Sequence, residues 1–329
     1  RTASGRIKFE GQEAKRLCNL GRCPARWQLE AAIAASTRIS SFPVGADRRR
    51  RRRAASRPSE TSLPHHVGQQ VAVAQFDAVD DELAELPVTK NMVYMLGFKF
   101  GSSGDPGKAI LLNAIVPAKV AIKFGDSRIV NFSSGNPYPH TDPALGGATE
   151  DTALNPVGIY GYSIIARETA FNTSASGHSA QRITHYRLMY AQHLGYGVLV
   201  DLARMIKTGE PISLEMPYVN LISQRDAIDR SLRGFDVAGN PSTILNVAGP
   251  VTPVEEICQK LGGYLSAEPK FVGQKADTAL IANDAFCVKQ FGPYRDGVDE
   301  MIEAAAKWVA QDGEYWNLPT MFGKADHRY

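Results

Sequence analysis

Two stretches decide the reading of this chain: Arg128-Ile129-Val130-Asn131-Phe132-Ser133-Ser134-Gly135-Asn136-Pro137-Tyr138-Pro139 and, after a loop, Tyr160-Gly161-Tyr162-Ser163-Ile164-Ile165-Ala166-Arg167-Glu168. The first begins with β-forming residues and stops at a Ser-Gly-Asn-Pro turn, so Ser134 is expected just past the carboxyl end of a strand. Ligands of open α/β sheets sit at that edge. The second reads as a helix, and spacings of three and four put Tyr160, Ser163 and Ile164 along one face, with Arg167 a turn further on. A hydroxyl and a phenol are thereby expected together at one sheet edge.

Ser134 four residues before Tyr138, Tyr160 26 residues after Ser134, and Tyr-Gly-x-Ser with Glu168 eight beyond the tyrosine resemble the NAD-dependent epimerase/dehydratase family of extended short-chain dehydrogenase/reductases. The resemblance covers roughly residues 71–329. It implies an α/β fold, a Rossmann-like doubly wound parallel sheet with a smaller C-terminal substrate lobe. It also implies NAD or NADP as cofactor, with NAD favoured, and hydride transfer to or from a hydroxyl or carbonyl of a small-molecule substrate such as a nucleotide sugar. Tyr160 takes the acid/base role, Ser134 hydrogen-bonds the same substrate oxygen, and a homodimer forms through the helix containing Tyr160.

The family places a lysine four residues after its tyrosine, and position 164 here is Ile. A free phenol, with a pKa near 10, is ionised in only about one molecule in 1,000 at pH 7. A nearby cation lowers that value. Without one, proton abstraction by Tyr160 is handicapped by roughly 4 kcal/mol, at about 1.4 kcal/mol per pH unit.

Other positions carry the resemblance to the cofactor. Asn91-Met92-Val93-Tyr94-Met95 reads as a strand delivering Leu96, Gly97 and Lys99 to the carboxyl edge, with Gly97 permitting close backbone approach. Gly-x-Lys is similar to that of UDP-hexose 4-epimerases, which implies that Lys99 reaches the cofactor and restores part of the positive field missing at position 164; the competing reading is a loop lysine. Asn113, amid Leu111, Leu112 and Ile115, matches the asparagine that completes the family's tetrad, and a buried amide there needs hydrogen-bond partners. Val71-Ala72-Val73-Ala74 reads as a buried strand, and Asp77-Ala78-Val79-Asp80 resembles the motif whose first Asp touches the adenine. The same residues would also cap a helix. Thr2-Ala3-Ser4-Gly5-Arg6-Ile7-Lys8 stands where the glycine-rich turn belongs, with Gly5 alone in a matching place.

Residues 1–70 hold 15 Lys and Arg against 5 Asp and Glu, a net +10, so the remaining residues carry 22 against 29, a net −7, within the overall +3. We therefore divide the chain into a basic, poorly organised N-terminal segment, 1–70, for which an eroded first βαβ unit is the alternative reading, and a cofactor- and substrate-binding body, 71–329. The six arginines of residues 48–53 permit a nucleic-acid reading, but without interleaved aromatics or a defined helix a solvated loop is preferred, and nucleic acid is not an expected partner. Irregular structure is expected between about 36 and 68. No apolar run reaches the roughly 18 residues of a membrane span, and no charged-then-apolar leader opens the sequence, so the expectation is a soluble, cytoplasmic protein without a membrane partner.

Cys18, Cys23, Cys258 and Cys287 lack paired spacing, and His178, His185 and His193 match no common ligand template, so no metal is expected. Further strands are read at residues 181–188 and 244–249 and around 220–223, and helices at 197–208, 253–261 and 301–309, the last with Trp308 on its apolar side. The arginine that would hold a substrate diphosphate is not evident. An enzyme and a regulatory protein that binds NAD(P) without turnover are both compatible with the pattern, because fold alone does not decide chemistry.

Overall fold

The computed structural model describes Leu83, residues 86–318 and residues 320–326 of the 329. The chain divides into two units, Arg1–Gln75 and Phe76–Tyr329, and all the described residues belong to the second. The readings made for residues 1–70, including Gly5 and the arginine run, for the strand at 71–74 and for Asp77 lie outside the described residues.

Among the described residues the strands are β1 (Asn91–Tyr94), β2 (Arg128–Ser134), β3 (Arg182–Leu188), β4 (Tyr190–Gln192), β5 (Pro211–Ser213), β6 (Tyr218–Ser223), β7 (Thr243–Val247), β8 (Val251–Pro253) and β9 (Lys270–Val272). The α-helices are α1 (Pro106–Ile110), α2 (Val116–Lys123), α3 (Gly158–Gly177), α4 (Val198–Thr208), α5 (Gln224–Arg233), α6 (Val254–Leu265), α7 (Ala285–Phe291) and α8 (Val298–Ala310). Strands β1, β2, β3 and β7 form a parallel sheet in that order, with Val130 opposite Val93 and Thr184, and Tyr186 opposite Leu245. Parallel neighbours need crossovers, and helices supply them.

Because successive strand residues point to opposite faces, Ile129 and Ile183 join Tyr94, Leu112, Val116 and Phe171 under the layer formed by α1, α2 and α3. Their neighbours Val130 and Tyr186 join Leu245, Val247, Ala227 and Cys287 under α5 and α7. Both faces are thus covered, as expected for a doubly wound α/β fold.

Between α1 and α2 the helix widens into one π-turn, Leu111–Ile115, in which the Val116 N–H bonds the Leu111 carbonyl five residues back. Pro117 explains the local change. It has no N–H to give to the carbonyl four residues earlier, and its ring crowds that carbonyl in a regular α-helix. Asn113 sits in this turn.

A second core lies in the C-terminal part of the chain. Helices α4, α6 and α8 bury Val198, Leu202, Ile206, Ile257, Leu261, Ile302 and Val309 together. The chain stops α4 at Gly209, whose φ of 73° is the left-handed conformation that ends helices. Trp308 is not part of that apolar stripe. It is half-buried, its indole N–H donates to the Glu314 carbonyl, and the face toward the core is built by Ile302, Ala305, Ala306 and Val309. Asn246, on β7, ties the lobe to the sheet: its amide donates to the carbonyls of Ala148 and Asn283 at 3.0 Å each and accepts from the Tyr138 hydroxyl at 2.8 Å. Among the described residues no helix is long and apolar enough to cross a membrane, and Cys258 and Cys287 are buried free thiols.

Helix α3 is locked to the sheet by polar contacts as well as by packing. Arg187 grips Glu168 in a two-pronged ion pair, Nε to Oε1 at 2.9 Å and Nη2 to Oε2 at 2.6 Å, and Ser133 donates to the same carboxylate. His185 bridges Asn131 and Asn172 at 3.0 and 2.8 Å, and burial depresses its imidazole to about 4, so it is neutral near pH 7. Burial opposes the charge on Glu168, but the hydrogen bonds and charge of Arg187 outweigh it and hold the carboxyl below its usual range.

Glu168→Ala leaves Arg187 buried without its counter-ion and is expected to cost about 3–5 kcal/mol in urea unfolding at pH 7. A carboxyl whose folded pKa is depressed contributes stability above its unfolded pKa and loses it as pH falls through the folded value. The deficit of the variant should therefore shrink as acid is added below about pH 4; a deficit independent of pH across that range would refute the assignment.

Candidate functional site

The carboxyl ends of β1 and β2 and the first turns of α3 converge on the two residues expected from sequence. Ser133 is committed to Glu168, and Ser134 lies on the opposite face of the strand, where its influence lowers the Tyr160 phenol against the effect of burial. The Ser134 hydroxyl also donates to Asn136 Oδ1 at 2.8 Å and accepts from the Asn136 N–H at 3.2 Å, a local turn that fixes its position.

Two glycines make this approach possible. A Cβ at Gly161 would lie 2.7 Å from the Asn136 carbonyl oxygen and 2.5 Å from Pro156, so the Tyr-Gly step lets α3 close on the Ser134 turn. A Cβ at Gly135 would lie 2.0 Å from Met189 Sδ.

Lys99 lies across from them. Its Nζ stands 5.6 Å from the centroid of the Tyr160 ring, 5.6 Å from that of Phe100 and 6.0 Å from that of Tyr190. Burial lowers its ammonium to about 8, so it is mostly charged at pH 7 and loses that charge in mild alkali. Lys99 is half-buried rather than an exposed loop lysine, and its ammonium lies over the Tyr160 ring. A cavity of about 40 Å³ beside Ser134 is lined by Lys99, Gly135, Asn136, Met189, Tyr190 and Leu280. That is room for roughly three waters.

Asn113 is fully buried and saturated. Its Oδ1 accepts from the Phe98 N–H at 2.8 Å and from Arg167 Nη2 at 2.6 Å, and its Nδ2 donates to the Phe98 carbonyl and to Ser163 Oγ, both at 2.8 Å. It therefore joins the loop after β1 to the face of α3 that carries Tyr160. Gly97 serves this junction. A Cβ there would lie 2.5 Å from Arg167 Nη2, so the absence of a side chain makes room for the guanidinium rather than for ligand alone. Leu96 turns its side chain into the core of the same face, leaving only its backbone at the edge.

Position 164 is a fully buried isoleucine. Arg167, further along the same helical face, is a buried cation held by the Phe132 carbonyl and Asn113 Oδ1. Burial raises the Tyr160 phenol above its ordinary value, and the charge of Arg167 and the hydrogen bond of Ser134 pull it back down. The spacing of seven from Tyr160 was the available signal for Arg167, and the Ser-Gly-Asn turn was the signal for Asn136. Tyr190 and Leu280 carry none, because they reach the site from distant segments. His193 stacks on Trp316 with centroids 4.5 Å apart, and His178 contacts the Ser174 carbonyl at 2.8 Å. Among the described residues no cluster of three His, Cys, Asp or Glu side chains could hold a metal ion.

No family model matches the chain, and no curated protein does. Solved structures do. A UDP-N-acetylglucosamine 4-epimerase from Methanobrevibacter ruminantium M1, in complex with UDP-N-acetylmuramic acid, is 14% identical with a TM-score of 0.62 over 74% of this chain and 84% of its own. RMD from Pseudomonas aeruginosa, complexed with NADPH, is 16% identical with a TM-score of 0.59 over 73% of this chain and 88% of its own. A UDP-glucose 4-epimerase from Thermotoga maritima, with UDP-glucose, is 15% identical with a TM-score of 0.56 over 68% and 78%. At such identities the likeness is one of architecture: this chain has the Rossmann-like α/β fold with a C-terminal lobe that these structures share.

Proposed function

We propose that the protein is an NAD(P)-dependent oxidoreductase of the epimerase/dehydratase type, acting on a hydroxyl or carbonyl of a sugar, with nucleotide sugars as the substrate class. The observation that carries this reading is the placement of Ser134 at the carboxyl end of β2 beside Lys99, whose Nζ lies 5.6 Å from the centroid of the Tyr160 ring. Its support from comparison is that structures sharing the fold are named as complexes with NADPH or with UDP-sugars.

The described residues fit the nicotinamide end of a dinucleotide: a hydroxyl, a phenol and a lysine converge where the loop after β1 leaves the sheet. A nicotinamide bound there supplies the hydride donor or acceptor. The chain's own residues do the rest. Ser134 holds a substrate oxygen, and Tyr160 exchanges a proton with that same oxygen. Burial keeps Tyr160 protonated at neutral pH, which equips it first to donate a proton to a carbonyl oxygen; the reverse transfer depends on the positive charges around it.

We assign this activity to residues 71–329, with 1–70 as a separate basic segment, and infer a cytoplasmic location and NAD in preference to NADP. We also infer a homodimer through the α2 and α3 layer, where Ile122 and Tyr162 are exposed. The second reading, a regulatory protein that binds NAD(P) without turnover, draws on the isoleucine at position 164.

Titration of the purified full chain with NADH and NADPH, followed by nicotinamide fluorescence, should give saturable binding, and a panel of UDP- and GDP-sugars should then give turnover. Tyr160→Phe is expected to lower kcat by about 10²–10⁴-fold with cofactor Kd unchanged. Binding without turnover of any sugar nucleotide would select the regulatory reading, and no binding of either dinucleotide would sink both.

A further inference from the structure

We propose that residues 313–326, the segment following α8, form a strap latched by Asp201 that gates the crevice beside Ser134. The gate rests on the reading of that crevice as the reacting site, but not on which cofactor or sugar enters it.

The strap can be followed contact by contact. The Trp316 N–H donates to the Gly195 carbonyl at 3.0 Å, and its indole stacks on His193 with centroids 4.5 Å apart. The turn at Gly195 is shaped to receive it, since a Cβ there would lie 2.8 Å from the indole Nε1. Further along, Phe322 meets the Tyr190 ring edge to face, centroids 5.8 Å apart, and packs on the cluster that contains Leu280. Tyr190 and Leu280 line the cavity beside Ser134, and the Tyr190 ring centroid lies 6.0 Å from Lys99 Nζ. The strap therefore backs the wall of the crevice that faces Lys99.

This segment is built to lift. It contains no helix or strand, and among its described residues only Thr320 is buried, while Trp316 and Leu318 are 40% and 37% exposed. Asn317 and Met321 have φ of 54° and 57°, the left-handed region that residues with side chains occupy at a cost. A segment with so few buried contacts opens locally before the rest of the fold does, and lids are drawn from such segments.

The latch is one carboxylate. Asp201, in the first turn of α4, accepts from the Tyr315 hydroxyl at 3.0 Å through Oδ1, and from the Thr320 hydroxyl at 2.5 Å and the Thr320 N–H at 3.3 Å through Oδ2. Among the described residues these three bonds are all that the carboxylate accepts, and each comes from the strap. An acid is favoured at a helix amino end by the dipole alone, which accounts for an aspartate at this position but not for three strap donors gathered on it. Hydrogen bonds to a charged acceptor are the strong ones, so the hold on the strap is concentrated at the single point where it is buried. Arg204 lies over the Tyr315 ring, 4.3 Å from its centroid, and steadies the same point.

The test reads the strap and the crevice together. In the full chain, hydrogen exchange over residues 313–326 and acetylation of Lys99 by acetic anhydride at pH 8, relative to that of the exposed Lys289, are followed by mass spectrometry. Asp201→Ala should speed exchange of the strap about tenfold or more, the effect of losing hydrogen bonds to a charged acceptor, leave exchange of β2 unchanged, and raise Lys99 acetylation about threefold or more. Thr320→Val, which removes one donor of the three, should move both in the same direction by less. Locking the strap should do the reverse. A Cβ at Gly323 would lie 3.9 Å from Ser213 Cβ, the spacing of a disulfide, so the oxidised Ser213→Cys/Gly323→Cys protein, its bridge verified by peptide mapping, should acetylate Lys99 more slowly than the same protein reduced. That comparison cancels the strain of a side chain at Gly323, where φ is 88°. Thr320→Val and the oxidised pair decide if Asp201→Ala does not fold, and the two loosening variants decide if the bridge does not form. Faster strap exchange with Lys99 unmoved, no change in either, β2 exchange rising in step with the strap, or equal acetylation in the oxidised and reduced pair would overturn the gate. Titration with NADH separates this from the proposed reaction: a gated Lys99 without dinucleotide binding keeps the strap and rejects the cofactor, whereas binding with an ungated Lys99 does the opposite.

Discussion

The site depends on one amide. Asn113 has two protons to give and two lone pairs to offer, and all four are used, on the Phe98 backbone, Ser163 and Arg167. Each partner belongs to a segment that must be held in register: the loop after β1, the early turns of α3 and the cation further along it. A buried amide with partners missing costs about 1–3 kcal/mol per unsatisfied group, so the three segments are placed together or not at all. The π-turn that presents Asn113 is itself a consequence of Pro117, four residues further along the chain.

Around this junction two buried arginines are treated in opposite ways. Arg187 is neutralised by Glu168 in a two-pronged pair, and its work is mechanical, holding α3 against β3 beneath the reacting edge. Arg167 is given a carbonyl and an amide and no carboxylate among the described residues. Lys99 adds a second charge of another kind, one that titrates near the working range and is enclosed by aromatic rings.

A doubly wound parallel sheet was implied by the family resemblance, and single strands such as β1 and β2 were legible from their β-forming residues, but the order β1, β2, β3, β7 came only with the folded chain. Ser134 and Tyr160 were legible because a strand end and a helix start are local events, marked by Gly, Asn and Pro. Trp308 shows the limit of the method. Its size suggested the core, but the angle of α8 gave that place to alanines that allow close helix packing, and the indole went to a backbone carbonyl at the rim.

The chain's own order of residues determined which elements form, where the strands stop and which hydroxyl and phenol stand at their ends, since each of these follows from φ/ψ preferences and side-chain periodicity within a few residues. Tertiary structure alone decided that Gly97 clears a path for a guanidinium, that Gly161 lets α3 approach Asn136, and that Tyr190 and Leu280 line the crevice. These are contacts between segments tens to hundreds of residues apart. No local preference encodes them, because their energies depend on distances that exist only after the sheet and its helices have packed.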